Sequence, residues 1–376
     1  MQDNSGNEIR LIVGGYELSG WDEASLDNAI DTPADSWSVT LFNPVYDQLP
    51  SSVASGKPVK FYYGNELVLT GIIDKISEAV SRHGRALQVS GRDLVGQLIN
   101  CSVPIFSGRQ VTLDVLLNKY VKSGDLGSLF KSISIQDNSA LKNKVSVEPG
   151  EALWDAINKA AQVTGQYVWL EADGTLKVGD PFANPYHIKT DLLLMYDGND
   201  NNVLEAQYDE DVSNVYSEIK ILSQDGNANH ILSEGKTSTP YGFNRLKIVS
   251  LGDVETKAEA DAALKKIQAD NNLEAYSLNP TVKGWQIDNK VWSTGWYLNL
   301  KSDVLSRATA KWAVMGRTLK LSRSGGQTTE LKLKRQGDWA QPLVHKDKQT
   351  KAAKKRHSKK KAEQQTEQTK KQGATA

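Results

Sequence analysis

The sequence predicts a mainly β protein with α+β insertions, in which two similar β-barrel domains are accompanied by smaller α+β modules. Residues 8–91 and 285–339 alternate apolar and polar side chains, with turn residues at short intervals. Helical spacing of apolar residues is concentrated between these two segments. The end of the last β segment also resembles the end of the first, which suggests a duplication.

The first β-barrel domain is predicted at residues 1–98. Residues 9–13, 37–42 and 59–63 read as strands, and Gly64-Asn65 turns the third into another strand. Antiparallel strands with frequent turns are typical of a barrel or sandwich.

A corner closes this domain at "ALQVSGRDLVGQL", residues 86–98. Gly91 interrupts a strand pattern, and Asp93 is placed as the N-cap of a following helix. A strand, a glycine and a helix start can also bind an anion. The structural interpretation is favoured, because the segment lacks a Gly-Lys-Ser/Thr ending and the Asp93 carboxylate would repel phosphate.

An α+β module is predicted at residues 99–190. Residues 112–121 and 151–164 have helical apolar spacing, and Gly165 supplies the stop after the second helix. Asp173-Gly174 predicts a type I′ turn between two strands.

The second β-barrel domain is predicted at residues 191–226 and 275–340, interrupted by an inserted module with a helix at 227–274. Thr256 and Glu259 form a capping-box pattern at the start of that helix. "SRHGRALQVSGRD" and "SRSGGQTTELKLKRQGD" share Ser-Arg, a glycine, an alternating strand and a final aspartate. Their alignment predicts that Asp338 is the equivalent of Asp93, although antiparallel hairpins also resemble one another by chance.

Charge is distributed unevenly, although the 376-residue chain has 45 basic and 45 acidic residues. Residues 345–376 hold 11 Lys and Arg and 3 Asp and Glu, which leaves 34 and 42 for the rest. We expect residues 341–376 to be a basic, disordered tail, because they contain almost no large apolar side chain. Such a tail either binds nucleic acid or is simply solvated, and the lack of interleaved aromatics favours the second interpretation.

No catalytic, cofactor or metal site is predicted. The sequence has no Gly-x-Ser-x-Gly elbow, Walker loop, His-Glu-x-x-His or Cys-x-x-Cys motif, and its one cysteine, Cys101, excludes an internal disulfide. Paired carboxylates for glycan hydrolysis stay open, because such pairs meet only in the fold. Trp285, Trp292 and Trp296 cluster near a turn and are candidate interface residues, and packing in the core is the alternative.

The order of several segments resembles the Mu-type phage tail protein family, the baseplate hub proteins of contractile tails. The segments are "GGYELSGWDEASLDNAIDTPADSWSVTL", "VSGRDLVGQLIN", "EPGEALWDAINKAAQVTGQYVWLEADGTLKV", "TKAEADAALKKIQADN" and "TLKLSRSGGQTTELKLKRQGDW". This family is related in fold to the hub of T-even phages and to the N-terminal part of type VI secretion spike proteins. The resemblance does not cover the tail after residue 344.

The resemblance implies a homotrimer whose duplicated barrels form a pseudo-six-fold ring, joining the hexameric tail tube to the trimeric central spike. Its implied partners are the tube protein, the spike protein, other baseplate proteins and passing DNA without specific binding. It also implies a virion protein of the tail baseplate, made in the host cytoplasm and not inserted in a membrane. A tail-associated cell-wall hydrolase and a nucleic-acid-binding protein acting through its basic tail are the alternatives.

Overall fold

The structure is a computed structural model that describes residues 8–30, 32–44, 49–104, 110–163, 165–225, 228–236, 243–250 and 256–335. Within these ranges, none of the helices has the length and apolar character needed to cross a membrane. The predicted tail and Asp338 lie outside the described residues.

The N-terminal β half of the chain contains seven strands whose side chains alternate between core and solvent. The strands are β1 (Ile9–Val13), β2 (Tyr16–Leu18), β3 (Glu23–Ala29), β4 (Ser36–Phe42), β5 (Pro58–Tyr63), β6 (Glu66–Ser81) and β7 (Gly84–Asp93). They lie in the order β3-β4-β7-β6-β5-β1-β2, and each neighbouring pair is antiparallel. Apolar residues therefore line one face, as the period of two predicts.

The α+β part follows β7 and has its own apolar core. Its elements are α1 (Val95–Asn100), β8 (Gln110–Thr112), a π-helical segment (Val115–Lys122), a 3-10 turn (Asp125–Ser128), β9 (Ser132–Ile135), a 3-10 turn (Asn138–Lys142), β10 (Lys144–Ser146), α2 (Leu153–Gln162), β11 (Tyr167–Leu170) and β12 (Thr175–Gly179). Helix α2 buries Trp154 and Ile157 in this core. The helix predicted at residues 112–121 is present as the π-helical segment, which begins later, at Val115.

The next part carries two strands of the large sheet and a small sheet covered by a helix. Its elements are β13 (Leu192–Leu194), β14 (Val203–Glu210), β15 (Glu218–Asp225), β16 (Ala228–Lys236), β17 (Leu246–Ser250) and α3 (Lys257–Glu274). Ile219 and Ile221 of β15 pack with Ala260 and Leu264 of α3. The capping box is confirmed by two hydrogen bonds: the Thr256 N–H donates to Glu259 Oε2 over 3.0 Å, and the Glu259 N–H donates to Thr256 Oγ1 over 3.3 Å.

The C-terminal strands complete a second β half. They are β18 (Tyr276–Lys283), β19 (Gln286–Ile287), β20 (Lys290–Val291), β21 (Tyr297–Ser302), β22 (Ala310–Ser322) and β23 (Gly326–Lys334). The strand order is β14-β18-β23-β22, and β21 and β13 continue from the first part of β22. Strand β22 also pairs with β3, so both halves belong to one sheet.

The two halves have the same plan, strand for strand. The order β3-β4-β7-β6-β5 corresponds to β14-β18-β23-β22-β21. Both long strands have an irregularity at the same place, after Ile73 in β6 and after Val314 in β22. The Gly56 N–H donates to the Ile73 carbonyl over 2.7 Å, and the Gly295 N–H donates to the Val314 carbonyl over 2.9 Å.

The registers correct one sequence alignment. Ile73 faces Gly91, whereas Val314 faces Leu333. Leu333 therefore occupies the position of Gly91, and Arg335 rather than Asp338 occupies the position of Asp93. The sequence alignment matches the Gly-x-Asp ending of the first segment with the Gly-Asp ending of the second, which requires four extra residues, whereas the second turn is only one residue longer than the first.

One apolar core runs through both β halves. Phe61 lies between Trp37 and Trp285, with ring centroids 6.4 Å apart in each pair. The fold class is thus confirmed as mainly β with α+β parts.

Candidate functional site in a cavity between the parts of the chain

A cavity of about 280 Å³ lies where the two β halves and the α+β part meet. Asp35 and Asp93 line it from the N-terminal half, and Arg317 lines it from β22. The turn between β11 and β12 and the segment before β21 complete the wall. The site therefore joins residues that are nearly 300 positions apart in the sequence.

Asp35 precedes β4 and accepts hydrogen bonds from the preceding strand. Asn28 Nδ2 donates to one carboxylate oxygen, and the Ala29 N–H donates to the other over 3.3 Å. The Asp35 carbonyl accepts the Asp93 N–H over 2.9 Å, which fixes the ends of β4 and β7 together. These contacts hold both acidic residues at one corner of the sheet.

Asp93 ends β7, and its side chain is only 3% exposed. Its Oδ1 accepts the Val95 N–H over 2.9 Å, so the carboxylate satisfies a backbone donor at the start of α1. The N-cap position itself is Leu94, which makes no side-chain cap. The predicted capping carboxylate is present, one residue earlier than the cap position.

Burial changes the acidity of both carboxyl groups. It raises the pKa of Asp35 from 3.8 to about 7, against the opposing effects of Arg317 and the Asn28 hydrogen bond. Burial, and then the nearby Asp35, raise the pKa of Asp93 well above 3.8. The pair therefore retains a proton at pH values where exposed carboxyls are ionised.

Arg317 supplies the positive charge of the site from a position that is only 5% exposed. Burial lowers the pKa of its guanidinium to about 10, while Asp35 and Asp27 act in the opposite direction. Nη1 donates to the Leu26 carbonyl over 3.4 Å. Arg317 remains charged at neutral pH and partly compensates the buried carboxylates.

Three carboxyl groups line this cavity, those of Asp35, Asp93 and Glu171. A carboxyl group with a pKa near 7, such as that of Asp35, exchanges a proton at neutral pH. The described lining contains no histidine, cysteine or lysine. The described ranges also bring together no group of three or more His, Cys, Asp or Glu side chains suited to a metal ion. Hydrogen bonds at this cavity link the three parts, from Arg317 Nη1 to the Leu26 carbonyl and from Thr70 Oγ1 to the Ala172 carbonyl.

Gly91 serves close packing and does not end the strand as predicted. Strand β7 continues through Gly91 to Asp93. A Cβ at Gly91 would lie 1.9 Å from the Ile72 carbonyl oxygen and 3.0 Å from the Asp74 nitrogen. Glycine is required here because β6 approaches closely at its irregularity.

Gly165, Asp173 and Gly174 lie in the α+β part. Gly165 has a φ of 75° after α2, and its N–H donates to the Gln162 carbonyl over 2.9 Å. Gly174 has a φ of 87°, but Asp173 is not in the left-handed region, so the predicted type I′ turn is wrong. The loop instead has four residues between β11 and β12, and the Asp173 carboxylate accepts the Thr175 N–H over 3.0 Å.

For Trp285 and Trp292 the structure supports core packing, the alternative to an interface that the sequence left open. Trp285 is 0% exposed and Trp292 is 1% exposed within a single chain, so neither indole faces a partner. Both fill the core of the second β half, and Trp285 Nε1 donates to the Lys320 carbonyl over 2.9 Å. Trp296 is partly buried, packs against Tyr186 and lines the cavity.

Sequence reasoning missed Asn28, Asp35 and Arg317. The alternation of β22 could have identified Arg317, because it lies on the same face of the strand as the buried Leu319. A charged residue in that phase requires a buried partner. No local pattern indicates that the partner is Asp35.

Three family models match successive parts of the chain. Residues 8–93 match the N-terminal domain of Mu phage baseplate assembly protein GpP-like, residues 95–180 match the second domain of baseplate hub protein gp44-like, and residues 270–337 match the C-terminal domain of a tail protein. The first two meet at Asp93 and Val95, the corner that holds the buried carboxylates.

Individual relatives cover most of the chain. Baseplate hub protein gp44 of Escherichia phage Mu is 22% identical over 342 residues, which is 87% of each sequence. The crystal structure of a tail protein from Neisseria meningitidis MC58 is similar with a TM-score of 0.72 and 28% identity, over 89% of this chain and 98% of that one. The 43 kDa tail protein of prophage MuSo2 from Shewanella oneidensis shares the fold, with a TM-score of 0.72 and 18% identity over 87% and 98% of the two chains.

Proposed function

Because the chain belongs to the Mu-type phage baseplate hub and tail protein family, we propose that it acts as a trimeric adaptor within the baseplate. In this role it joins the hexameric tail tube to the trimeric central spike. The three matched domains and the shared fold support a structural role in the virion.

The observation that carries this proposal is the duplication of the β half within one chain. The strand order β3-β4-β7-β6-β5 is repeated as β14-β18-β23-β22-β21, and β3 and β22 link the two copies. Three such chains present six similar units on one side while keeping three-fold symmetry elsewhere. A protein between a six-fold tube and a three-fold spike needs this combination.

The proposed partners follow from the same symmetry. The six β halves would face the tube protein, and the three α+β parts would face the spike and other baseplate proteins. Residues 1–344 have a net negative charge, which suits a channel through which DNA passes without specific binding, because negative walls repel phosphate.

Native mass and particle shape test the proposal together. Light scattering on the full chain should give three times the 41.4 kDa chain mass. Negative-stain images should show a three-fold ring with six lobes. A monomer at micromolar concentration, or a ring with another symmetry, would refute the adaptor role.

A further inference from the structure

The duplication leaves two strand edges open that are paired in the other half. In the second half, β22 pairs with β21 over Ala310–Ala313 and then with β3 over Gly316–Leu321, along the edge opposite β23. In the first half, β6 pairs with β5 only as far as Ile72. Among the described residues, no strand pairs with this edge over residues 75–81, which we call the β6 open edge.

Strand β14 is the counterpart of β3, and its outer edge is also open. Glu23 and Leu26 of β3 face Thr40 and Trp37, whereas Glu205 and Tyr208 of β14 face Thr281 and Leu278. This register aligns "EASLDNA" of residues 23–29 with "EAQYDED" of residues 205–211, so Glu-Ala and an aspartate coincide. In the described part of the sheet, β14 has β18 on one side and no strand on the other.

We propose that β14 of one copy pairs antiparallel with the β6 open edge of a second copy, as β3 pairs with β22 within one chain. This inference rests on the proposed trimer and identifies the contact that closes it. In this contact each chain supplies its β14 to one neighbour and its β6 open edge to the other, so the contact is head-to-tail, and three copies of it would form the closed ring of the proposed trimer.

The pairing of β3 with β22 within one chain, applied to β14 and β6, predicts which residues face each other across the contact. In the chain, Thr318 faces Asp27, and Thr318 Oγ1 donates to Asp27 Oδ1 over 2.7 Å. The equivalent positions are Ser77 in β6 and Asp209 in the β14 of the second copy, again a hydroxyl opposite a carboxylate. By the same transfer Lys75 faces Asp211, an ion pair in place of the internal contact between Gly316 and Ala29.

Burial also distinguishes the open edges from the paired ones. Ala24 and Leu26 of β3 are 6% and 0% exposed, but their β14 counterparts Ala206 and Tyr208 are only partly buried. Two large apolar residues are exposed at these edges: Val80 on β6 at 81% and Leu204 on β14 at 59%. The transferred register places Val80 opposite Ala206, close to Leu204, so pairing would cover both.

Cysteine cross-linking tests the contact and its register. Cys101 is first replaced by Ser, and Ser77→Cys is combined with Asp209→Cys in the full chain. Cα atoms of facing residues in an antiparallel pair lie about 4.5 to 5.5 Å apart, within reach of a disulfide. The matched control combines Ser77→Cys with Glu205→Cys, whose facing position is displaced by about 13 Å along the strand.

Mild oxidation should produce covalent dimers and trimers of the first variant on a denaturing gel, and reductant should remove them. The control should remain a monomer on the same gel while keeping the native mass of the unsubstituted chain. A native trimer without cross-links in the first variant, or with equal cross-links in both, would overturn this contact and leave the adaptor role standing. A chain that stays monomeric under all conditions would overturn both.

Discussion

Replacing Asp35 with asparagine should change the pH dependence of stability, because Asp35 binds its proton more tightly in the folded chain than in the unfolded chain. The folded-state pKa is about 7, compared with 3.8 for an ordinary aspartate. An acid with a raised pKa stabilises the folded state below its unfolded pKa, and this contribution is lost as the pH rises through the folded pKa. The affected window is therefore about pH 4 to pH 7.

The magnitude follows from the size of the shift. A difference of about 3 pKa units corresponds to roughly 4 kcal/mol in the free energy of unfolding, at 1.36 kcal/mol per unit. The asparagine side chain of the variant does not titrate, so this contribution is absent from it, and the pKa of Asp93 also falls because the Asp35 charge no longer raises it. The amide nitrogen of that side chain would face a donor, either Asn28 Nδ2 or the Ala29 N–H, and this mismatch costs about 1 kcal/mol at every pH.

Urea unfolding of both proteins at intervals from pH 4 to pH 8 measures the difference. Asp35→Asn should be the less stable protein at pH 4 and should gain up to about 4 kcal/mol relative to the natural chain by pH 8. Subtraction removes the contributions of carboxyls whose pKa is lowered, such as Asp191 and Asp288, because both proteins contain them. A difference that is constant across the range would refute a protonated Asp35 in the folded chain.

Three further tests address close packing at Gly91, the carboxylate of Asp93 and the capping box at Thr256. Gly91→Ala should lower the free energy of unfolding by about 3 kcal/mol, because its Cβ would meet the Ile72 carbonyl. Gly165→Ala should lower it by only about 1 kcal/mol, from its left-handed φ alone. Equal losses in urea unfolding would contradict this difference. Asp93→Asn keeps an acceptor for the Val95 N–H and should be about 1 kcal/mol more stable than Asp93→Ala at pH 5, and the reverse order would show that the capping contact is unimportant. Thr256→Ala removes one half of the capping box and should cost about 1 kcal/mol, seen as faster amide exchange in α3; unchanged exchange would exclude this role.

Local patterns predicted the elements whose information lies within one segment. The alternation in residues 9–13 and the helical spacing in residues 151–164 correspond to β1 and α2. The capping box at Thr256 was correct for the same reason, because both partners lie within four residues.

Contacts between distant segments could not be predicted in this way. The pairing of β3 with β22 joins residues about 290 positions apart, and no periodicity within either strand indicates that neighbour. The same separation hides the Asp35 and Arg317 site. The choice between interface and core for the tryptophans stayed open for a related reason, because their clustering in the sequence gave no indication that a second β half would enclose them.

The two β halves share a backbone plan but differ at the corner where each one ends. Asp93 ends β7 and leads into α1, whereas its counterpart Arg335 follows β23. The Arg335 guanidinium lies over Tyr276 and Trp312 and donates to the Arg307 carbonyl over 2.7 Å. The residue at this position therefore leads into the α+β part in the first half, whereas in the second half it packs on aromatic rings. In the proposed trimer the strand order would occur six times, whereas the Asp93 corner and the Arg335 corner would each occur three times. The change from six-fold to three-fold symmetry would therefore take place at these corners.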